Sequence, residues 1–359
     1  MLKNRLQKNN TKYHGIHITH NDGDAVGCAL VLSYFHPAFD FQDNTYFCSI
    51  GSQDKKIAEI FDRIINGEEE APKVIVVSDI SISEESCKLL EDLSQYYGTH
   101  LHGFDHHKTN NLAENHTWWT VIKDSVYRKK VNNFVDISAT LLMYDTYSMH
   151  EEGSKNYSIY ETIRPIAEII SDYDTWTWRK YPGLWKTENF DADIIGIICS
   201  MLRPEKMFEH LLNHYLNYNS KDKMFPDLFY TLYDIEVTNR DSYLNCIKYK
   251  TRIFEHNGFG FGMFISENNY SNAAAEFLYN EYACIDIVII IYPASKQIGF
   301  RTKRTDIDLG AIAKKYFNGG GHPSAAGARF DNDDDFVDFL KVYYIDTVPL
   351  LDYVKKDDE

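Results

Sequence analysis

The sequence predicts an α/β protein: a doubly wound parallel sheet, followed by a second, smaller α/β domain. Three observations carry this. Continuous apolar, β-branched runs such as VIVVS (74–78) recur through the first half, as expected of strands covered on both faces. These runs alternate with helix-length segments, and a strand–helix–strand rhythm implies crossovers and parallel pairing. The alternation stops in a stretch without glycine after Gly196 and returns from Gly258.

In chain order, GIHIT (15–19) is a short strand, NDGDAVG a turn, and CALVLSYF (28–35) a buried helix. Lys55 to Ile65 has helical periodicity, with Ile57, Ile60, Phe61, Ile64 and Ile65 on one face. VIVVS is a central strand. Ser83 suits the N-cap of the next helix, and HLHGF (100–104) is the following strand. ISATLLMYDTY (137–147) and ETIRPIAEIISDYDTW (161–176) are helical. Residues 186–245, dense in Leu, Tyr, Phe and Asn, read as a helical linker or insertion between domains at 1–185 and 246–359. In the last part GFGMFI (260–265), IDIVIIIY (285–292) and QIGFRT (297–302) are strands, while Asn272–Tyr282 and Leu309–Phe317 are helices. KKDDE at the end reads as a solvated tail.

At 359 residues the chain is long enough for two domains, and its 44% hydrophobic and 25% charged content is that of a globular protein. Six scattered cysteines form no C-x-x-C pair, which argues against zinc ribbons and dithiol redox chemistry. MLKNRLQKNNTKYH is polar with no apolar stretch behind it, and no run approaches the ~18 apolar residues of a membrane span. A cytoplasmic protein with free thiols and no membrane association is the expectation. A net charge of −16 argues against binding long duplex nucleic acid, which needs Lys and Arg to neutralise phosphates. It leaves room for a phosphate substrate whose counter-charge comes from metal ions.

Ligands of open α/β sheets bind beyond the carboxyl ends of the strands. After GIHIT come His20, Asn21, Asp22, Gly23 and Asp24; after VIVVS comes Asp79; after HLHGF come Asp105, His106 and His107. Asp172 and Asp174 form a fourth cluster. Carboxylates crowded at one edge repel unless protonated or bound to cations. Mixed imidazole and carboxylate donors suit Mn²⁺ better than all-oxygen Mg²⁺ sites. With Gly23 turning freely, Asp22 and Asp24 can face two ions and Asp79 can bridge them, the clamp used to hydrolyse phosphate esters. Taken singly, D-x-D is usually a solvated turn, Asp79 serves equally well as a helix cap, and paired histidines are common surface or core groups. His17, His100 and His102 are given no role. The combination of three clusters at one edge is what points to metal chemistry.

Near the other end lies GGGHPSAAG (319–327). Gly319, Gly320 and Gly321 allow close backbone approach to a ligand, and His322 can donate to a phosphate oxygen. In FRTKR (300–304), Arg301 and Lys303 share a strand face. A Gly-rich turn and solvated basic residues are the commoner explanation of each feature alone.

Together, THNDGDAVGC (19–28), VVSDIS (76–81), GFDHHKT (103–109), SAT-x-L (138–142), DYDTW (172–176) and GGGHPSAAG resemble the motifs of the DHH phosphoesterase superfamily. The last resembles the nucleotide-binding DHHA1 domain. The motifs extend from about residue 14 to 330 and leave 186–245 unmatched. The resemblance implies two Mn²⁺ ions, one held by His20, Asp22 and Asp79, the other by Asp24, Asp79, His106 and Asp174. Asp172 is the rival of Asp174, which is preferred because D-T-W resembles the family's fourth motif. His107 would lie beside the phosphate as donor or acid, with Asp105 orienting a histidine of the triplet. Arg301 and His322 would grip a phosphate distal to the scissile one, with the active site in the cleft between the domains. One branch of the family places a histidine four residues before the first aspartate, where this chain has Ile18. The His20-Asn21-Asp22 spacing is instead that of the oligoribonuclease-like branch.

The expected activity is a Mn²⁺-dependent phosphodiesterase that hydrolyses short single-stranded RNA to nucleoside monophosphates. Alternatives are hydrolysis of cyclic or linear dinucleotides, removal of the 3′-phosphate of adenosine 3′,5′-bisphosphate, and a non-catalytic nucleotide sensor. A sensor should have lost metal ligands, and none is missing here. Trp118, Trp119, Trp176 and Trp178 are candidates for base stacking, with core packing the alternative. HLLNHYLNYNS (210–220) is either a homodimer surface or buried helix.

Overall fold

The computed structural model describes residues 12–107, 112–121, 137–151, 161–176, 189–216, 223–266 and 270–341. Lys108 and Thr109 of the DHH motif, Trp178, residues 217–220 and the KKDDE tail lie outside the described residues. The chain divides into two units, residues 1–234 and 235–359.

The first unit is built on a five-stranded sheet of β1 (Gly15–Thr19), β2 (Thr45–Phe47), β3 (Val74–Ser78), β4 (His100–Asp105) and β5 (Trp119–Val121). Their order is β2-β1-β3-β4-β5, and every pairing is parallel. β1 and β3 are buried along their whole length. Alternate residues feed two cores: Ile16, Ile18, Ile75 and Val77 pack on one face, Val74, Val76 and Phe104 on the other. Helices Gln53–Ile65 and Glu84–Tyr97 cover the first face, and Gly23–Phe35, Ala139–Glu151 and Arg164–Asp174 the second. Ser83 caps its helix by accepting from the Ser86 N–H at 3.1 Å.

Two expectations change. Helix Gly23–Phe35 begins inside the segment expected to turn. Asp22 caps it, accepting from the Ala25 N–H at 3.0 Å, and Gly23 is an ordinary helical residue with no positive φ. Its missing side chain answers to packing instead, because a Cβ there would lie 2.8 Å from the Cys199 sulfur. Helices Asn189–Met201 and Pro204–Leu216, in the stretch read as linker, lie in the first unit. They place Ile194, Ile195, Ile198, Met207, Phe208 and Leu211 in its core. The described part of HLLNHYLNYNS buries Leu211, Leu212 and Tyr215 there too.

The second unit contains β6 (Arg252–His256), β7 (Phe259–Ile265), β8 (Ile287–Tyr292), β9 (Gln297–Thr302), β10 (Gly320–His322) and β11 (Ala325–Arg329). The order is β10-β11-β9-β8-β7-β6, with only β7 and β8 parallel. Helix Ser271–Glu281 packs through Ala274, Ala275 and Leu278 on Phe264, Val288 and Ile290. Helix Leu309–Phe317 joins the core on the opposite face through Leu309 and Ala313. The Gly-rich segment is not a loop: Gly320–His322 pairs antiparallel with Ala325–Arg329.

Candidate active site

The carboxyl ends of β1, β3 and β4 are neighbours, with Thr19 opposite Ser78 and Ser78 opposite Phe104. The residues just beyond them therefore meet. His20 approaches Asp22, Nδ1 to Oδ2 at 2.6 Å. His106 Nε2 lies 3.4 Å from Asp79 Oδ1, 3.4 Å from Asp174 Oδ2 and 3.8 Å from Asp24 Oδ2. Three overlapping sets result: His20, Asp22 and Asp79; Asp24, His106 and Asp174; and Asp79, His106 and His107. In each set one donor atom per residue lies within 4.8 Å of the others. Asp79 belongs to two sets. Asp172 is buried but belongs to none of these groups.

Asp79 follows β3 in the left-handed region, φ 55°, a conformation that costs a non-glycine residue about 1 kcal/mol or more. Its N–H donates to Phe104 O at 2.8 Å. Its carboxylate is 2% exposed, and Oδ2 is buried without a hydrogen-bond partner among the described residues. Burial, followed by the charges of Asp24, Asp22 and Asp174, holds its pKa well above the usual carboxylate range. Burial and the charges of Asp24 and Asp22 likewise push Asp174 up to about 8. Burial also raises Asp22, but hydrogen bonds from His20 and the Ala25 N–H outweigh that and leave it below its usual value. The cluster has an excess of negative charge and a buried oxygen with no donor. That donor set fits divalent cations.

Asp24 is held by something the sequence did not reveal. Its two oxygens accept the N–H groups of Ala139, at 2.8 Å, and Thr140, at 3.0 Å. Thr140 Oγ1 also donates to Asp24 O at 2.7 Å. The SAT segment thus offers the carboxylate the free N–H groups of a helix start. It sits close because Gly27 has no side chain; a Cβ there would be 2.2 Å from Thr140 Oγ1. Ser81 is a second missed partner, donating to Asp105 Oδ2 at 3.2 Å.

Asp105 orients His107, not His106. Its Oδ1 accepts from the His107 backbone N–H at 3.0 Å and lies 2.7 Å from Nδ1. That hydrogen bond raises the His107 pKa against the effect of burial, and it leaves Nε2 for another partner. His17 is fully buried against Ser78 and Thr45, and burial lowers it to about 3. It is a neutral core group.

The second unit holds the other expected residues. Arg301 is opposite Ala325, and Ala325 opposite His322. Directly paired residues share a face, so Arg301 and His322 stand on one side of the sheet with only a methyl group between them. Two strand spacings put their Cα atoms about 10 Å apart. The glycines divide in role. A Cβ on Gly319 would lie 2.2 Å from Gly327 O, and Gly321 has φ 142°, so the hairpin itself requires both. Gly320 faces open space.

Residues 263–344 match the model of the DHHA1 domain. Over 333 residues the chain is 24% identical to oligoribonuclease NrnB of Bacillus subtilis, covering 92% of this chain and 76% of that protein. It is 20% identical over 360 residues to a 3′,5′-cyclic-nucleotide phosphodiesterase of Helicobacter pylori, covering 88% and 92%. Among solved structures it is similar to the pGpG-specific phosphodiesterase PggH of Vibrio cholerae, with TM-score 0.50 and 13% identity over 91% of this chain and 96% of that one. This last likeness concerns the fold. With a match to the DHHA1 domain in its C-terminal part and a parallel-sheet domain that carries the DHH triplet at its strand edge, the chain is similar to the DHH/DHHA1 phosphoesterases.

Proposed function

We propose that this chain is a metal-dependent phosphodiesterase that hydrolyses short single-stranded RNA, dinucleotides included, to nucleoside monophosphates. The observation that carries the reading is the meeting of three overlapping metal-capable sets, two of which share Asp79 and one of which includes His107, the histidine held by Asp105. The oligoribonuclease relative and the first-motif spacing support short RNA as substrate.

His20, Asp22 and Asp79 would hold one divalent cation; Asp24, Asp79, His106 and Asp174 would hold a second. Mn²⁺ is the ion we assign, because both sets mix imidazole with carboxylate. Bound cations there would neutralise phosphate charge and lower the pKa of a water molecule. The chain's own groups do the rest. The Ala139 and Thr140 N–H groups fix Asp24 in one orientation. Asp105 keeps the proton on His107 Nδ1 and favours the imidazolium, so that Nε2 can donate to a phosphate oxygen or protonate the leaving group. Arg301 and His322 would bind a phosphate away from the scissile one.

The test is a Mn²⁺-supplemented time course on end-labelled RNAs of about two, five and twenty-four nucleotides, reflecting the size preference of a fixed-reach site. Cyclic di-AMP, a 3′,5′-cyclic mononucleotide and adenosine 3′,5′-bisphosphate run alongside. Stepwise loss of the two shorter RNAs with the longest spared is the expected result. Turnover of a cyclic nucleotide or the bisphosphate with RNA untouched would overturn the substrate assignment. The cyclic mononucleotide arm answers to the name of the Helicobacter relative.

A further inference from the structure

Arg301 and Arg304 are three residues apart and held in opposite ways. The Arg304 guanidinium is neutralised, with Asp286 at 3.0 Å and Asp306 at 2.6 Å. Arg301 has only neutral partners among the described residues. Its Nε donates to Asn272 Oδ1 at 2.7 Å and one terminal nitrogen to Phe300 O at 2.8 Å. Its own carbonyl accepts from the Tyr279 hydroxyl at 2.7 Å. Asn272 and Tyr279 are seven residues apart on helix Ser271–Glu281, two turns and so on one face. One helix face therefore holds both the side chain and the backbone of this arginine. The Tyr279 ring also lies under the Lys303 ammonium, 5.2 Å from its centroid. Amide and carbonyl partners fix a guanidinium in place without cancelling its charge. A carboxylate would do the first and undo the second.

We infer that Asn272 is a positioning residue for substrate binding: it aims Arg301 at a non-scissile phosphate of the substrate while leaving its positive charge uncompensated. This rests on the proposed role of Arg301 in holding that phosphate. Asn272 itself does not touch the substrate. Its neutrality is the specific requirement, which separates the assignment from a merely structural hydrogen bond.

Asn272→Asp makes the distinction, because aspartate keeps the acceptor for Nε and adds the counter-charge. Steady-state kinetics on 5′-phosphorylated diadenylate and on diadenylate without that phosphate would be measured for wild type, Asn272→Asp, Asn272→Ala and Arg301→Ala, with the thermal midpoint of each. Asn272→Asp should keep or raise the midpoint yet raise KM for the phosphorylated dinucleotide by about tenfold or more, the worth of one charge-assisted hydrogen bond. kcat should change less, and the preference for the phosphorylated substrate should collapse towards that of Arg301→Ala. Adding Asn272→Asp to Arg301→Ala should do nothing further. If Arg301→Ala raises KM and Asn272→Asp does not, Asn272 is structural and the inference is overturned while the role of Arg301 stands. If Arg301→Ala leaves the preference intact, Arg301 does not read that phosphate, and both fall.

Discussion

The two units present charge in opposite states. In the first, carboxylates outnumber their partners among the described residues: Asp24 and Asp79 are buried, Asp174 is pushed up to about 8, and Asp79 Oδ2 has no donor there. In the second, the half-buried Arg301 has only neutral partners among the described residues, and His322 is exposed one residue across. Burial makes the first imbalance costly, since a desolvated charge without a partner costs several kcal/mol. Partial exposure makes the second cheaper, because water and neutral donors and acceptors serve the arginine until an anion arrives. The first region should therefore control whether the protein works at all, and the second how well it holds a particular substrate.

The largest effect should come from Asp79→Asn. It keeps the shape of the carboxylate that two metal-capable sets share, and it should cost activity about 10²–10³-fold or more, with Mn²⁺ binding lost in calorimetry. The same change should leave the metal-free protein equally or more stable. It removes a buried carboxyl whose ionisation the fold disfavours, and asparagine tolerates the left-handed backbone at φ 55° better than most residues. Near-normal turnover, or a sharp fall in metal-free stability, would break the contrast between the two units.

The pH response comes next. Asp79 and Asp174 bind protons more tightly in the folded protein than in the unfolded chain. From about pH 4, the ordinary carboxylate range, up to about 8 for Asp174, the folded state holds the extra protons. These two groups make metal-free stability fall as pH rises through that window, while His17 and His102, both lowered by burial, act in the opposite direction below their ordinary value of 6.5. His20 and His107 add to the fall, because both have raised values and lose their stabilising charge as pH rises. Asp22, which is lowered, acts only in more acidic solution. Denaturant midpoints of chelator-treated protein should drop between about pH 6.5, above which His17 and His102 no longer contribute, and pH 8, and Mn²⁺ should restore most of the loss at pH 8. A flat or rising profile would mean that the carboxylate cluster is already compensated.

How much of this was visible in the sequence follows from where the information lies. VIVVS was legible because a strand buried on both faces is largely apolar and β-branched, and GIHIT because its Ile16 and Ile18 precede a turn-forming Asn-Asp-Gly run. β2 and β5 were not, being three residues each and held by neighbours in the sheet. The start of helix Gly23–Phe35 was misread because Asn, Asp and Gly signal a turn and a helix cap equally well. GGGHPSAAG reads as a Gly-rich turn because glycine carries no strand preference, yet β11 supplies its ladder. The acidic and imidazole residues were legible as a set, because strand ends collect ligands. The grip on Asp24 was not. It uses backbone N–H groups more than a hundred residues away, and backbone donors leave no mark in residue type.

Gly27→Ala tests that hidden grip. A methyl group there would meet Thr140 Oγ1 at 2.2 Å, Thr140 Cγ2 at 2.8 Å and Ile170 Cδ1 at 2.9 Å. Overpacking of this kind costs about 1–3 kcal/mol. It should move helix Ala139–Glu151 away from Asp24, lowering activity and Mn²⁺ affinity together. Thr140→Ala in the same chain should recover stability by clearing the space. If Gly27→Ala destabilises the protein without weakening Mn²⁺, Asp24 does not depend on the helix start for its orientation.

The smallest effect belongs to the second unit. His322→Ala removes an exposed donor from the face that carries Arg301 and leaves the β10–β11 ladder intact, since that ladder is made of backbone bonds. It should raise KM for phosphorylated dinucleotides by about tenfold, one hydrogen bond to an anion, with little change in kcat and none in Mn²⁺ affinity. Ala325 makes the comparison sharper. It lies between Arg301 and His322, so Ala325→Leu would fill the space between the two donors while leaving both residues in place. An equal rise in KM from both changes would place the phosphate between Arg301 and His322. A rise from His322→Ala alone would move the phosphate off that shared face, and a fall in kcat or in metal affinity would tie His322 to the first region instead.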